Sequence, residues 1–142
     1  MPDTTDPYGV LLLSFSRHSH QRNFVSLYAK HPQTRIVAIA DDDTAIDEDL
    51  RQLNRLWADQ LGVPYVPDVD QALARDDVDI VSIAHDIERR SQLIQASADA
   101  GKHLWIDKFL GATLEEYDAA IDAIERAGVT AIVPSYAYGS LL

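Results

Sequence analysis

Lys108 is the residue in this chain best placed for chemistry. It follows Asp107 at the end of a short strand-like run, His103-Leu104-Trp105-Ile106, and Gly101 stands before that run where a helix C-cap needs positive φ. At the carboxyl end of a parallel strand, a lysine can orient or polarise a substrate oxygen, or move a proton if burial lowers its pKa. It can equally form a salt bridge to Asp107. A second set lies in Ser14-Phe15-Ser16-Arg17-His18-Ser19. Ser14, Ser16 and Ser19 put small hydroxyl side chains in a strand-to-helix turn, where helix N-terminal amides favour an anion. Arg17, and His18 when protonated, can add charge there. Asp41 closes another β-rich run, 22 residues beyond Ser19. His85-Asp86 ends a further run, on the same side of the sheet. His18-Ser19-His20 holds two imidazoles, but no acid stands at a fitting local spacing, so no metal site is read there.

These residues need a frame, and the hydrophobic pattern supplies one. Val10-Leu11-Leu12-Leu13 is a continuous apolar run, the mark of a strand buried on both faces. A helix is expected from about His20 to Lys30 with Phe24, Leu27 and Tyr28 on one face, ended by His31-Pro32. Arg35 to Ala40 is a second strand. A helix from about Asp47 to Leu61 should bury Leu50, Leu53, Trp57 and Leu61. Tyr65-Val66 is a third strand, and Asp68 caps a short helix holding Leu73. Val78 to Ala84 is a fourth strand, and a helix from about Arg89 to Ala100 turns Leu93, Ile94 and Ala98 inward. After the strand that leads to Lys108, Thr113-Leu114-Glu115-Glu116 is a capping box. The helix it opens should bury Leu114, Tyr117, Ile121 and Ile124 before Gly128 closes it. Thr130 to Val133 is a sixth strand. Strand and helix alternate with no repeat and no linker, which predicts an α/β doubly wound, mostly parallel sheet with helices on both faces.

Composition narrows the function classes. A chain of 142 residues is one domain by length, and its 46% hydrophobic and 25% charged residues are ordinary for a globular protein. The formal net charge of −11 argues against a nucleic-acid surface, which needs clustered Lys and Arg. Arg89-Arg90 is too small a cluster to alter that. With no cysteine there is no disulfide framework and no thiolate chemistry. No run approaches the ~18 apolar residues of a membrane span. Residues 1–7 are polar and acidic, read as a disordered lead without the basic n-region of a signal peptide. A cytoplasmic protein is the expectation.

A dinucleotide fingerprint places glycines at three positions of the first turn, and an acid about 20 residues on reads the ribose 2′-OH of NAD. Ser14, Ser16 and Ser19 have the fingerprint's spacing without any glycine, and Asp41 has the acid's place. A serine Cβ occupies space that a pyrophosphate would use, and positive φ carries a steric cost for it. A carboxylate at Asp41 disfavours the 2′-phosphate of NADP. The alternative for Asp41-Asp42-Asp43 is a solvated, helix-capping turn, preferred for Asp42 and Asp43. His85 could line a nicotinamide site, and His103 is read as structural.

The order of these pieces resembles the N-terminal nucleotide-binding domain of the glucose–fructose oxidoreductase / inositol dehydrogenase (Gfo/Idh/MocA) family, over about Tyr8 to Tyr138. The most specific stretches are Asp77 to Ala84 and Ala100-Gly101-Lys102-His103-Leu104-Trp105-Ile106-Asp107-Lys108-Phe109-Leu110. The second is similar to the family's AGKHV-x-x-EKP segment. The resemblance implies a Rossmann-like fold over residues 8–142 and Lys108 as the active-site lysine. It puts Asp107 in the place of the family glutamate and Asp41 at the adenosine ribose. It also implies a nicotinamide cofactor, NAD before NADP given the carboxylate at Asp41, or none if the site is degenerate, and a small-molecule substrate. This chain departs from the pattern at three places. The first-turn glycines are serines, the Thr-Pro after strand four is His85-Asp86, and the proline after the lysine is Phe109. Without that proline the Lys108–Phe109 peptide is expected to be trans, since cis costs ~3 kcal/mol there. The family's second, substrate-binding domain is not in these 142 residues.

Two functions fit these readings. One is an NAD(P)-dependent oxidoreductase passing hydride to or from a sugar-like or polyol carbon. The other is a non-catalytic binding or regulatory module that kept the fold and lost the cofactor. A homo-oligomer stays open for either. A phosphoacceptor receiver, with Asp41-Asp42, Asp86 and Lys108 as its site, fails on topology, because only one helix fits between Ala84 and His103.

Overall fold

The structure, a computed structural model, describes residues 6–134. Most of the expected lead and the end of the family resemblance at Tyr138 lie outside them. Among the described residues, β1 (Tyr8–Leu13), β2 (Thr34–Ala40), β3 (Tyr65–Val66), β4 (Ile80–Ile83), β5 (His103–Ile106) and β6 (Ala131–Ile132) form one parallel sheet in the order β3-β2-β1-β4-β5-β6. The connecting helices are α1 (Gln21–Lys30), α2 (Glu48–Leu61), α3 (Val69–Leu73), α4 (Ile87–Asp99) and α5 (Leu114–Ala127). The chain runs outward from β1 to one edge, then returns to β4 on the other side of β1. The strand order therefore reverses between β1 and β4, and their carboxyl ends flank the crevice where doubly wound sheets bind ligands.

β1 shows why the sheet is central. Leu11 and Leu13 join the core shared with α3, α4 and α5, while Val10 and Leu12 face Phe24, Tyr28 and Ala58 of α1 and α2. Both faces of the strand are covered, as its unbroken apolar run predicts. Gly9 is required by close approach: a Cβ there would stand 1.7 Å from the carbonyl oxygen of Asp77. The sheet half at β5 and β6 is barer on the α1 side, where Tyr8, Trp105 and Ile132 border an apolar groove of about 290 Å³.

Helix ends follow their expected signals. Asp47, Asp68 and Thr113 accept from the N–H groups of Leu50, Gln71 and Glu116. Inner faces depart in three helices. In α5 the fully buried residues are Ala120 and Ala123, which face the core together with half-buried Ile124, while Leu114 and Ile121 are exposed. In α2 the buried residues are Asn54 and Ala58, with Leu53, Trp57 and Leu61 half-buried around them. Leu27 of α1 faces solvent.

Candidate functional site

The first turn begins with Ser14 at φ +71°, the one non-glycine residue with positive φ among those described. Its side chain is fully buried. Asn54 Nδ2 donates to Ser14 Oγ at 3.0 Å, and Asn54 Oδ1 accepts the N–H of Phe15 at 2.9 Å. Gln21, at the start of α1, donates to the carbonyls of Ser14 and Ser82, each at 3.1 Å. The Ser82 hydroxyl donates back to Gln21 at 2.7 Å and accepts from Tyr28 at 2.9 Å. Phe15 stacks on Trp57 with ring centroids 4.6 Å apart. The inner side of the turn is thus fully bonded.

Its outer side is not. Among the described residues the N–H groups of Ser16, Arg17 and His18 meet no acceptor, and neither does the Ser16 hydroxyl. Ser16 is 7% exposed and borders the cleft in front of the turn. Three unpaired amides in a row beside the N-terminus of α1 are donors available to an anion. Ser19 serves the helix instead, donating to Ser16 O at 3.1 Å and accepting from Gln21 N at 3.4 Å. Arg17 is held outward by Asp49, and His18 is exposed.

Asp41, at the end of β2, is buried and engaged on both oxygens. Oδ1 accepts from the N–H of Asp42 at 2.8 Å and from Arg89 at 3.2 Å; Oδ2 lies 2.9 Å from His85 Nε2. His85 Nδ1 accepts the N–H of Asp86 at 2.7 Å, so Nε2 carries the ring proton and donates to Asp41. Burial pushes the Asp41 carboxyl up, but the His85 hydrogen bond, the Ser14 hydroxyl and the Asp42 N–H together outweigh it and hold the group below its ordinary 3.8. Arg89 also donates to Asp42 at 2.7 Å. His85 and Arg89 therefore bridge from β4 and α4 to the end of β2.

At the end of β5, Asp107 accepts from the backbone N–H of His20 at 3.1 Å and lies 2.9 Å from His20 Nδ1. It also accepts from the N–H of Lys108 at 2.9 Å. These bonds join the N-cap of α1 to β5. The Lys108–Phe109 peptide is cis, against the sequence expectation. Arg90 decides the path of this segment. It is buried, and its Nη1 donates to the carbonyls of Asp107 and Phe109 at 3.2 and 2.7 Å, while Nε and Nη2 donate to His85 O at 3.1 and 2.6 Å. Burial pulls the Arg90 pKa down, and Asp107 and Asp86 partly restore it.

Ser16, His18 and Lys108 border one cleft of about 250 Å³, with Asp86 and Arg90 on its wall. Arg17 and Asp47 border an adjoining cleft that shares Ser16 and His18. Ser14, Asp41, His85 and Asp107 stand behind these surfaces as buried supports. Asn54, Gln21 and Arg90 escape sequence reasoning, yet each had a signal: a polar residue at helical spacing within its helix's apolar stripe. Gln21 precedes Phe24 and Tyr28, Asn54 lies between Leu50 and Trp57, and Arg90 precedes Leu93 and Ile94. Among the described residues no group of three His, Asp or Glu is placed to hold a metal, and no helix is long and apolar enough to cross a membrane.

The unpaired N–H groups of Ser16, Arg17 and His18 are the groups of this turn chemically suited to the phosphates of a nicotinamide dinucleotide. Asp41, the acid at the end of β2, is 1% exposed and already engaged by His85 and Arg89.

Residues 16–135 match the family described as "Oxidoreductase family, NAD-binding Rossmann fold" (GFO_IDH_MocA). The uncharacterized oxidoreductase YrbE of Bacillus subtilis is 29% identical over 102 residues, which cover 70% of this chain and 27% of YrbE. The WlbA dehydrogenase of Bordetella pertussis, solved with NADH and UDP-GlcNAcA, superposes with a TM-score of 0.77 at 19% identity, covering 90% of this chain and 37% of that one. Biliverdin reductase of Synechocystis sp. PCC 6803, solved with biliverdin and NADP+, gives 0.74 at 18% identity, covering 89% and 37%. At these identities the superpositions establish the fold, and this chain spans about a third of the length of the proteins it matches. With the family match running through all but the first strand of the described sheet, the chain belongs to the Gfo/Idh/MocA oxidoreductases and contains their NAD-binding Rossmann domain.

Proposed function

We propose that this chain is the cofactor half of an NAD-dependent oxidoreductase acting on a sugar-like or polyol carbon. The observation that carries the reading is the shared cleft of Ser16, His18 and Lys108 at the point where the strand order reverses. The nicotinamide ring supplies the hydride chemistry when the dinucleotide is bound. The amides of Ser16, Arg17 and His18 and the Ser16 hydroxyl hold the pyrophosphate. A carboxylate at Asp41, the residue the family resemblance puts at the adenosine ribose, disfavours the 2′-phosphate of NADP, which favours NAD. His85, fixed as the Nε2–H tautomer, and Asp107, tied to His20, keep the walls of the site rigid. Lys108, exposed at the end of β5, donates a hydrogen bond to the reacting substrate oxygen and moves its proton. The dinucleotides bound to WlbA and biliverdin reductase support this class of cofactor.

A second reading, a module that no longer binds dinucleotide, is favoured by one specific arrangement: Asp41 is already satisfied by His85 and Arg89. Calorimetric titration with NADH and NADPH separates the two, with Asp41→Ala as control. The expected result is an NADH Kd well below 1 mM and NADPH binding at least tenfold weaker, a preference that Asp41→Ala reduces. Binding of neither below 1 mM removes the enzyme reading. Preference for NADPH removes the ribose role of Asp41.

A further inference from the structure

A serine at φ +71° clashes through its Cβ with its own backbone, which is why first turns of this kind use glycine. Here Asn54 meets the difficulty from below. Its amide group grips Ser14 Oγ at 3.0 Å and Phe15 N at 2.9 Å, while Trp57, one helical turn further along α2, stacks on the Phe15 ring. The Ser14 side chain is thereby drawn into the protein rather than into the crevice, and it is fully buried with Asn54. Because Asn54 takes the N–H of Phe15, the amides left for a ligand begin at Ser16.

We propose that Asn54 is the positioning residue that lets Ser14 occupy the glycine position while the turn keeps its ligand-facing amides. The proposal rests on the dinucleotide reading and extends it to a residue on α2 that itself borders neither cleft. With glycine at position 14 the positive φ carries no steric cost and the clamp becomes dispensable.

The test is a double-mutant cycle on the full chain with NADH as probe: wild type, Asn54→Ala, Ser14→Gly and the double variant. Kd is measured by calorimetry at a temperature where circular dichroism shows each protein folded. Asn54→Ala should weaken NADH at least tenfold in the serine background and by no more than twofold in the glycine background. An Asn54→Ala protein that folds and binds within twofold of wild type overturns the proposal, as does an equal loss in both backgrounds. A merely structural asparagine would lower Tm while leaving Kd of the folded protein unchanged. Should Asn54→Ala fail to fold, the glycine pair decides, and a loss above twofold there is fatal. A wild type that binds no NADH below 1 mM removes the dinucleotide reading itself, a result distinct from any failure of the cycle.

Discussion

Asp41 gives up nearly all its solvent on folding and is compensated by hydrogen bonds from His85, Asp42 and Arg89. A carboxylate held below its ordinary pKa contributes stability that is present above that value and is lost as pH falls through the lower folded one. Asp41→Asn should therefore cost about 1–3 kcal/mol near neutral pH, as expected for a buried partner removed. In urea melts the gap between wild type and variant should close as pH drops below 3.8. A gap that stays constant to pH 3 would mean that the charge of Asp41 contributes nothing. Lys108 has the opposite profile: it is exposed, and only its backbone N–H is held by Asp107. Lys108→Met should leave NADH affinity within about threefold, yet lower turnover by roughly 10²-fold or more in a protein carrying its substrate domain. An unchanged rate would reduce Lys108 to a surface charge.

At the level of elements, three helices insert polar side chains that bond strand ends at the ligand edge of the sheet. α1 sends Gln21 to the ends of β1 and β4, α2 sends Asn54 to the first turn, and α4 sends Arg90 to the ends of β4 and β5. These side chains satisfy strand-end carbonyls and an N–H that the ladders cannot reach. α5 does no such work; its fully buried contact is made by Ala120 and Ala123, flanked by half-buried Ile124. Ala120→Leu should overpack that contact at a cost of about 1–3 kcal/mol. Leu114→Ala, at a position 79% exposed, should stay within about 0.5 kcal/mol. Urea denaturation of both variants checks the assignment, and a larger loss from Leu114→Ala would show that face to be the packed one.

For the whole molecule, the reversal of strand order matters most. It brings the end of β1, the buried bridge over β2 and the lysine after β5 to one rim, joined through Asp107 and His20 and through Arg90 and His85. A ligand seated across that rim binds only the folded chain, so NADH at a hundred times its Kd should stabilise the protein by about 2.7 kcal/mol. For a domain of this size that raises Tm by roughly 5–10 °C in a calorimetric melt. A rise confined to NADPH would contradict the proposed preference, and no rise with either would contradict a site on this rim.

Much of this was legible in the chain itself. Apolar runs bounded by turn residues located every strand among the described residues, and Asp47, Asp68, Thr113 and Gly128 marked helix ends, because capping and periodicity are local chemistry. Lys108, Ser16 and His18 could be named from position alone, since the carboxyl edge of a parallel sheet follows from strand order. Tertiary structure alone decided which polar residues turn inward. Asn54, Gln21 and Arg90 occupy helix stripes that otherwise read as apolar, and their partners are strand-end groups 5 to 61 residues distant along the chain. Whether a carboxylate such as Asp41 meets solvent or an arginine is likewise set by what folds over it, which no local pattern records.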